Sequence, residues 1–350
     1  MTNGEMPTMN RREFLRSTGA AFAWLALPLA APTRHAPDGP YEQSRLTELP
    51  ASLGRIATHW RQAVRSEPSP EAEPVSWKTR DEIIPLYSAI IGKAPWPRNP
   101  IWYQTEGGFI HSGYVQPVEN APSGEVLLDA ARPGFWARVC VPIAEARSQP
   151  DSQSVRYKLY YGTVYRVVGT ELDSQEKWWY QLREGITYAP GPYVPAWSMH
   201  RLPPEELAPI SPGHPDKWIE VNLEAQRLTC LEGEEMVYST RISSGAAGTS
   251  TPRGEHRVLR KRHTRRMTGG SGAGYYDLPG VAFPVYFTPS AHAIHGTYWH
   301  NDFVRPHSHG CVNVSNQAAQ WVFRWTDPVV PYDDYERQAA SEESTRIIVV

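Results

Sequence analysis

The sequence predicts a mainly β protein, and three observations carry that expectation. Its 350 residues hold 13 Trp, 18 Tyr and 33 Pro against only 8 Phe, a composition of strands and turns rather than of a helical bundle. Runs rich in Tyr and Val and bounded by Gly, such as Tyr157 to Val168, read as strands. Lys217-Trp218-Ile219-Glu220-Val221-Asn222-Leu223 alternates apolar and polar with period two. The length allows two or three domains at roughly 100–200 residues each. With 35 Lys+Arg against 37 Asp+Glu, the formal net charge is −2, which argues against a nucleic-acid protein. Three cysteines are too few for a disulfide scaffold and, being odd, leave at least one thiol free.

At the N-terminus, Asn10-Arg11-Arg12-Glu13-Phe14-Leu15-Arg16 precedes a mostly apolar run from Gly19 to Ala31. A basic leader before a short apolar run is the pattern of an export signal, and the run is shorter than the ~20 residues that span a bilayer. The paired arginines resemble a twin-arginine signal. The expectation is an export signal over 1–36, a linker over 37–52, contact with the membrane only during export, and a protein acting in the periplasm or cell envelope.

The middle of the chain echoes itself. Arg65-Ser66-Glu67-Pro68 recurs as Arg147-Ser148-Gln149-Pro150, and both Gly92/Gly169 and Trp102-Tyr103/Trp179-Tyr180 are 77 residues apart. Units of this length with several short strands suggest small barrels, expected over 53–120 and 121–210, with an insertion around Pro122 to Gly134 blurring the second. Trp96, Trp102 and Trp136 fit barrel core better than a binding groove. Val64 to Ser69 at the head of the first unit and Gly113 to Val118 at its tail resemble bacterial SH3-like domains. That resemblance implies either a module that binds wall glycan or a spacer.

From Lys217 to Val350 a further domain is expected. Lys217 to Asn222, Gln226 to Leu231 and Glu235 to Ile242 form a β-meander, and Arg346 to Val350 reads as a strand that inserts into a sheet. One helix is expected over Gln317 to Trp325, with Ser315 as its N-cap.

Five of the twelve histidines lie between His292 and His309, just ahead of Cys311. Two chemistries can use such a cluster. A cysteine nucleophile needs a base for its proton and N–H donors for an oxyanion. Zinc needs about four ligands, here His307, His309, Cys311 and His295 or His300. No C-x-x-C or H-E-x-x-H pattern accompanies them, so the nucleophile reading fits better, with no metal and no cofactor. Gly296 gives the backbone room and lets a carbonyl approach the His295 ring, while Gly310 lets the chain bend at the thiol. An imidazolium beside Cys311 is expected to lower the thiol pKa below about 8.5.

His295-Gly296 followed by Ser308-His309-Gly310-Cys311-Val312-Asn313 resembles the signature of the L,D-transpeptidases, the YkuD-type catalytic domain. Ser243-Ser244-Gly245 and Thr251-Pro252-Arg253-Gly254 extend the resemblance over roughly Lys217 to Val350. It implies a β-sandwich-like catalytic domain acting on peptidoglycan stem peptides, donor and acceptor. By position, Cys311 resembles the nucleophile and His295 the proton donor and acceptor. The resemblance further implies that Gly296 or a nearby carbonyl orients the ring and that Ser308, His309 and Gly310 shape the oxyanion pocket and the substrate site. Asn313 stands where Arg is also found in the family. The implied reaction forms a thioester with a tetrapeptide stem, releases D-alanine, and makes a 3→3 cross-link; water in place of the amine gives an L,D-carboxypeptidase.

Three features remain. The basic stretch Arg253 to Arg266 reads as a solvated hairpin beside the cleft, and Gly269 to Gly274 as a flap over it. Cys140 and Cys230 read as buried residues rather than a disulfide.

Overall fold

The computed structural model describes residues 46–47, 49–128, 130, 133–183, 185, 191–272, 275–340 and 343–350. The expected export signal lies outside the described residues. Among the described residues, no helix is long and apolar enough to cross a membrane. The chain is mainly β, and the residues from Arg45 onward form a single compact unit.

The echo in the sequence is an echo of strand pairing. In the first repeat Leu53–Ile56 lies between Ile83–Pro85 and Val115–Val118. Gln62–Arg65 pairs with Pro74–Lys78 and meets Gly108–His111 through Arg65 and Phe109. Ser88–Ile91, Ile101–Thr105 and Gly108–His111 then run antiparallel in order. The second repeat reproduces every pairing. Phe135–Val139 lies between Val164–Leu172 and Met199–Leu202, and Ile143–Arg147 pairs with Val155–Tyr160 and meets Tyr193–Pro195. Val164–Leu172, Trp178–Arg183 and Tyr193–Pro195 complete the series.

The recurring Arg-Ser-x-Pro motif has a local cause. A register shift falls between Val64 and Arg65, and another between Ala146 and Arg147. At each shift the arginine donates to a carbonyl of the turn that follows, Ala72 O at 2.5 Å and Ser152 O at 2.9 Å. A bulge leaves the ladder locally unpaired, and the guanidinium supplies the missing donor. Trp102 is buried, whereas Trp136, expected in barrel core, is buried in the core of the C-terminal region instead, and Trp96 is half-buried and donates to Asp302.

The meander of the C-terminal region comprises Lys217–Asn222, Arg227–Glu232 and Glu235–Arg241. Arg346–Val349 pairs parallel to Lys217–Asn222 and antiparallel to Gly254–Arg257, closing a five-stranded sheet. A second five-stranded sheet runs Val312–Val314, Ala293–Gly296, Val285–Tyr286, Arg260–Arg262, Glu336–Gln338. Both sheets share one core with the helix Asn316–Trp325, which contributes Ala318, Ala319, Val322, Phe323 and Trp325. The Ser315 hydroxyl accepts from Ala318 N at 3.1 Å, satisfying one of the free donors of the first turn.

The basic stretch is not a solvated hairpin. It spans three strands, and Lys261 is 1 % exposed. Its ammonium donates to Thr326 O and to Pro328 O, while Lys217 Nζ donates to Trp325 O at 2.8 Å. Two buried lysines thus meet carbonyls at and just beyond the helix C-terminus, where the backbone presents unpaired acceptors and a negative dipole end. Burial pulls the Lys261 pKa down to about 7. Cys140 and Cys230 are buried free thiols.

Candidate active site

His295 and Asn313 are register partners on adjacent parallel strands, Ala293–Gly296 and Val312–Val314. Cys311 stands one residue before the second of these strands. Parallel pairing brings the two strands together across the intervening segment and sets His295 beside the end of the cysteine loop. Both side chains line a cavity of about 680 Å³ together with Ser308, His309, Asn313, His307 and Trp299.

The loop before Cys311 is braced on two sides. Ser308 Oγ donates to Cys311 O at 2.5 Å and accepts from Gly310 N at 3.0 Å. Gly310 has φ +108, and a Cβ there would lie 2.5 Å from the His292 ring, so glycine is required on both counts. Ser244 O accepts from His307 N and Ser308 N, Ala246 N donates to Ser308 O, and Ser243 and Asn313 exchange backbone hydrogen bonds at 2.9 Å. The Ser243-Ser244-Gly245 segment is therefore zipped onto the cysteine loop. Gly245 N is in turn held by Thr251 Oγ1 at 2.9 Å.

The electrostatics of the pair reverse one expectation. Burial pushes the Cys311 thiol up, opposed only by the Ala293 backbone. Burial also holds His295 down to about 4, against the Gly296 carbonyl, so at neutral pH no imidazolium stands beside the sulfur. The resting pair is neutral thiol and neutral imidazole. Nδ1 of His295 lies 3.0 Å from Gly296 O. A carbonyl only accepts, so Nδ1 carries the proton and Nε2 is left as the base. A Cβ on Gly296 would lie 2.3 Å from Asn316 Oδ1, so glycine here lets the start of the helix sit against the strand that carries His295.

The other histidines are engaged by their own partners. His300 Nε2 lies 2.9 Å from Asn313 Nδ2, and His307 Nε2 lies 2.7 Å from Asp302 Oδ2. Since Asn313 donates through Nδ2, this His300 nitrogen is an acceptor; burial pulls the ring's pKa down to about 3. Among the described residues, no group of three or more His, Cys, Asp or Glu is arranged to hold a metal ion. Asn313 thus acts on His300 through its side chain and on Ser243 through its backbone. Gly310 N–H, expected as part of an oxyanion pocket, is already given to Ser308.

Several cavity residues escaped the sequence reading. Tyr275, Tyr276 and Asp277 come from the hairpin of Thr264–Gly269 and Tyr276–Ala282, close to where a flap was expected. The Tyr276 ring centroid lies 5.2 Å from that of His309, and burial together with Cys311 pushes its hydroxyl pKa up. His59 and Arg80 come from the first repeat, and Tyr157, Lys158 and Tyr160 from the second. More than a hundred residues separate these from Cys311, and no local spacing signals them. Asp302 lay in plain view between the two motifs, but its role depends on Trp96 and Asn99 of the first repeat.

Comparison with known proteins gives one family match. Residues 216–349 match the L,D-transpeptidase catalytic domain, YkuD. No curated protein matches the chain. Solved structures similar to it include an L,D-transpeptidase from Enterococcus faecium (23 % identity, 39 % of this chain and 50 % of that one, TM-score 0.31). Others are an L,D-transpeptidase from Xylanimonas cellulosilytica (26 %, 39 % and 60 %, TM-score 0.27) and one from Mycobacterium smegmatis (18 %, 53 % and 99 %, TM-score 0.32). The chain spans about half the length of the Enterococcus faecium structure. With superpositions this low, only the family match bears on function.

Proposed function

We propose that the protein is a peptidoglycan L,D-transpeptidase with Cys311 as nucleophile and His295 as the proton carrier. The observation that carries this reading is the site itself. A free thiol and an imidazole with an unprotonated Nε2 share one cavity, on a loop held by Ser308 and Gly310, inside the segment that matches the family.

In the first half-reaction the Cys311 thiol gives its proton to His295 Nε2 as the sulfur attacks the carbonyl next to the terminal D-alanine of a tetrapeptide stem. The C–S bond forms and the charge gathers on the carbonyl oxygen. Gly310 N–H is spoken for, so the oxyanion falls to the amides of His309 and Cys311. The C–N bond then breaks, His295 returns its proton to the departing amine, and a thioester remains. In the second half an amine of another stem attacks the thioester and gives its proton to His295. The C–N bond of the 3→3 link forms, the C–S bond breaks, and His295 passes the proton to the leaving thiolate, restoring the thiol. A neutral resting pair suits this cycle, because the base is unprotonated when the acyl donor arrives.

The identical strand pairing of 53–118 and 135–202 supports reading both repeats as SH3-like modules, with wall glycan as a further partner. The twin-arginine-like leader supports export to the cell envelope. Incubating the purified protein with a stem tetrapeptide and following D-alanine and cross-linked dimer by mass spectrometry tests the activity. Wild type should yield both, and Cys311→Ala should lose both by at least a thousandfold. Hydrolysed tripeptide without dimer would replace the transpeptidase reading by the carboxypeptidase.

A further inference from the structure

We propose that the wall of the active-site cavity supplied by the two repeats is a carboxylate-binding subsite, with Arg80 and Lys158 as its cations and the side carboxylates of the donor stem as its ligand. This rests on the reading of the site as a stem-peptide acyltransferase and adds to it a role for the repeats inside the cleft.

The cavity lining carries a surplus of positive charge. Arg80, Lys158 and Arg266 all line it, and Asp277 is the only carboxylate among the described lining residues. Arg266 is matched, since its Nε and Nη2 reach the two oxygens of Asp277 at 2.7 and 2.6 Å. That leaves Arg80 and Lys158. Both lean on Asp81, which is not a lining residue. Lys158 Nζ lies 2.9 Å from it and Arg80 Nε 4.0 Å, while buried Arg55 takes its other oxygen at 2.9 Å. One carboxylate therefore faces three cations, and two of these point into the cavity with charge to spare.

The second contact of Arg80 does not neutralise it. Its Nη1 lies 2.6 Å from His59 Nδ1. A guanidinium only donates, so His59 accepts as a neutral ring, in keeping with the downward pull of burial and of Arg80 on its pKa. Arg80 and Lys158 are also accessible, with side chains 41 % and 47 % exposed. Partly exposed cations at the rim of a low-dielectric cleft attract an anionic ligand and fix its register more than they stabilise the fold. A stem peptide offers matching groups, since its γ-linked glutamyl residue keeps a free carboxylate and a diaminopimelyl residue adds another. Among the described residues, no other cation of the second repeat lines the cavity, so the subsite requires both repeats to be docked as they are.

The test uses the full chain carrying Cys311→Ala, so that binding is read without turnover. The probes are L-alanyl-γ-D-glutamyl-meso-diaminopimelyl-D-alanine and the same peptide with its two side carboxylates amidated. Calorimetry should give about a tenfold tighter Kd for the free acid, an advantage that shrinks as salt rises. Adding Arg80→Ala and Lys158→Ala should cut that preference below about threefold, and Lys158→Arg alone should keep it. An unchanged preference in the double variant, or none in the parent, overturns the subsite. A folding defect would weaken both peptides together and leave their ratio at about ten, which also counts against it. Failure of the underlying reading shows elsewhere, as absence of D-alanine release by the wild-type protein.

Discussion

In the first repeat, Arg55 sits opposite Gln116 on the strand Leu53–Ile56; in the second, Arg138 sits opposite His200 at the same place in the ladder. The two arginines occupy one position of one fold and do different work. Arg55 is 1 % exposed, is held by Gln116 and Asp81, stacks over Tyr160 at 4.1 Å and donates to Tyr298 O, three residues beyond His295. Arg138 is half-exposed and, among the described residues, its ion-pair partner is Glu206, at 3.4 Å. The reverse holds for the apolar partners. Trp136 is fully buried in the core of the C-terminal region, stacked on His263 at 4.3 Å, while its counterpart Leu53 stays half-exposed. The first repeat is tied to the site segment by buried polar contacts, with Asp302 accepting from Trp96 and Asn99 and Asn301 donating to Ser112 O. The second is fused to it by packing. Strand pairing decides where a side chain stands, and what covers it decides what that side chain is worth.

The largest break in this comparison should come from acid. Burial holds His263 and His300 down to about 3 and His295 to about 4, so each favours the folded state while neutral. The unfolded rings protonate near 6.5, so this stability is complete above that pH and is lost as pH falls through 6.5 toward 4 and 3. Unfolding free energies from urea titrations should be lower at pH 4 than at pH 7 by on the order of 10 kcal/mol, since each of the three rings gives up about 1.4 kcal/mol per pH unit between 6.5 and 4. His263 lies under Trp136, so Trp fluorescence should report the second repeat loosening early.

Next in size is Trp136→Ala, which should lower stability by about 3–5 kcal/mol in urea unfolding. Arg55→Met should cost about 3 kcal/mol, because it takes the buried donors from Gln116 and Tyr298 O and one of its cations from Asp81, which keeps Lys158. It should also slow acyl transfer, since Tyr298 closes the segment that carries His295. Arg138→Ala should change the midpoint by less than about 1 kcal/mol. If Arg55 and Arg138 proved equal, burial would not be the reason they differ.

Much of this was legible in the sequence, and the rest was hidden for identifiable reasons. The meander, the Ser315 cap, the terminal strand and the 77-residue echo all follow from local periodicity, and the structure contains them. The motif residues His295 and Cys311 could be found because they carry their glycines with them. The basic stretch misled because charge alone cannot reveal that Lys261 faces inward to helix carbonyls. The direction of the Cys311 shift was hidden because the charge of the nearby histidine depends on its burial, which only packing sets. His59, Arg80 and Lys158 were invisible because only the docking of both repeats brings them into the cavity that Cys311 lines.

The central claim is that Cys311 carries the acyl group. Intact-mass and peptide mapping after brief exposure to a stem tetrapeptide measures this directly. A tetrapeptide adduct less one D-alanine should appear on Cys311, be absent from Cys311→Ala, and form at a rate that holds from pH 7 to 5 and falls as pH approaches 4, where His295 protonates. An adduct on Cys140 or Cys230, or D-alanine released unchanged by Cys311→Ala, would contradict it.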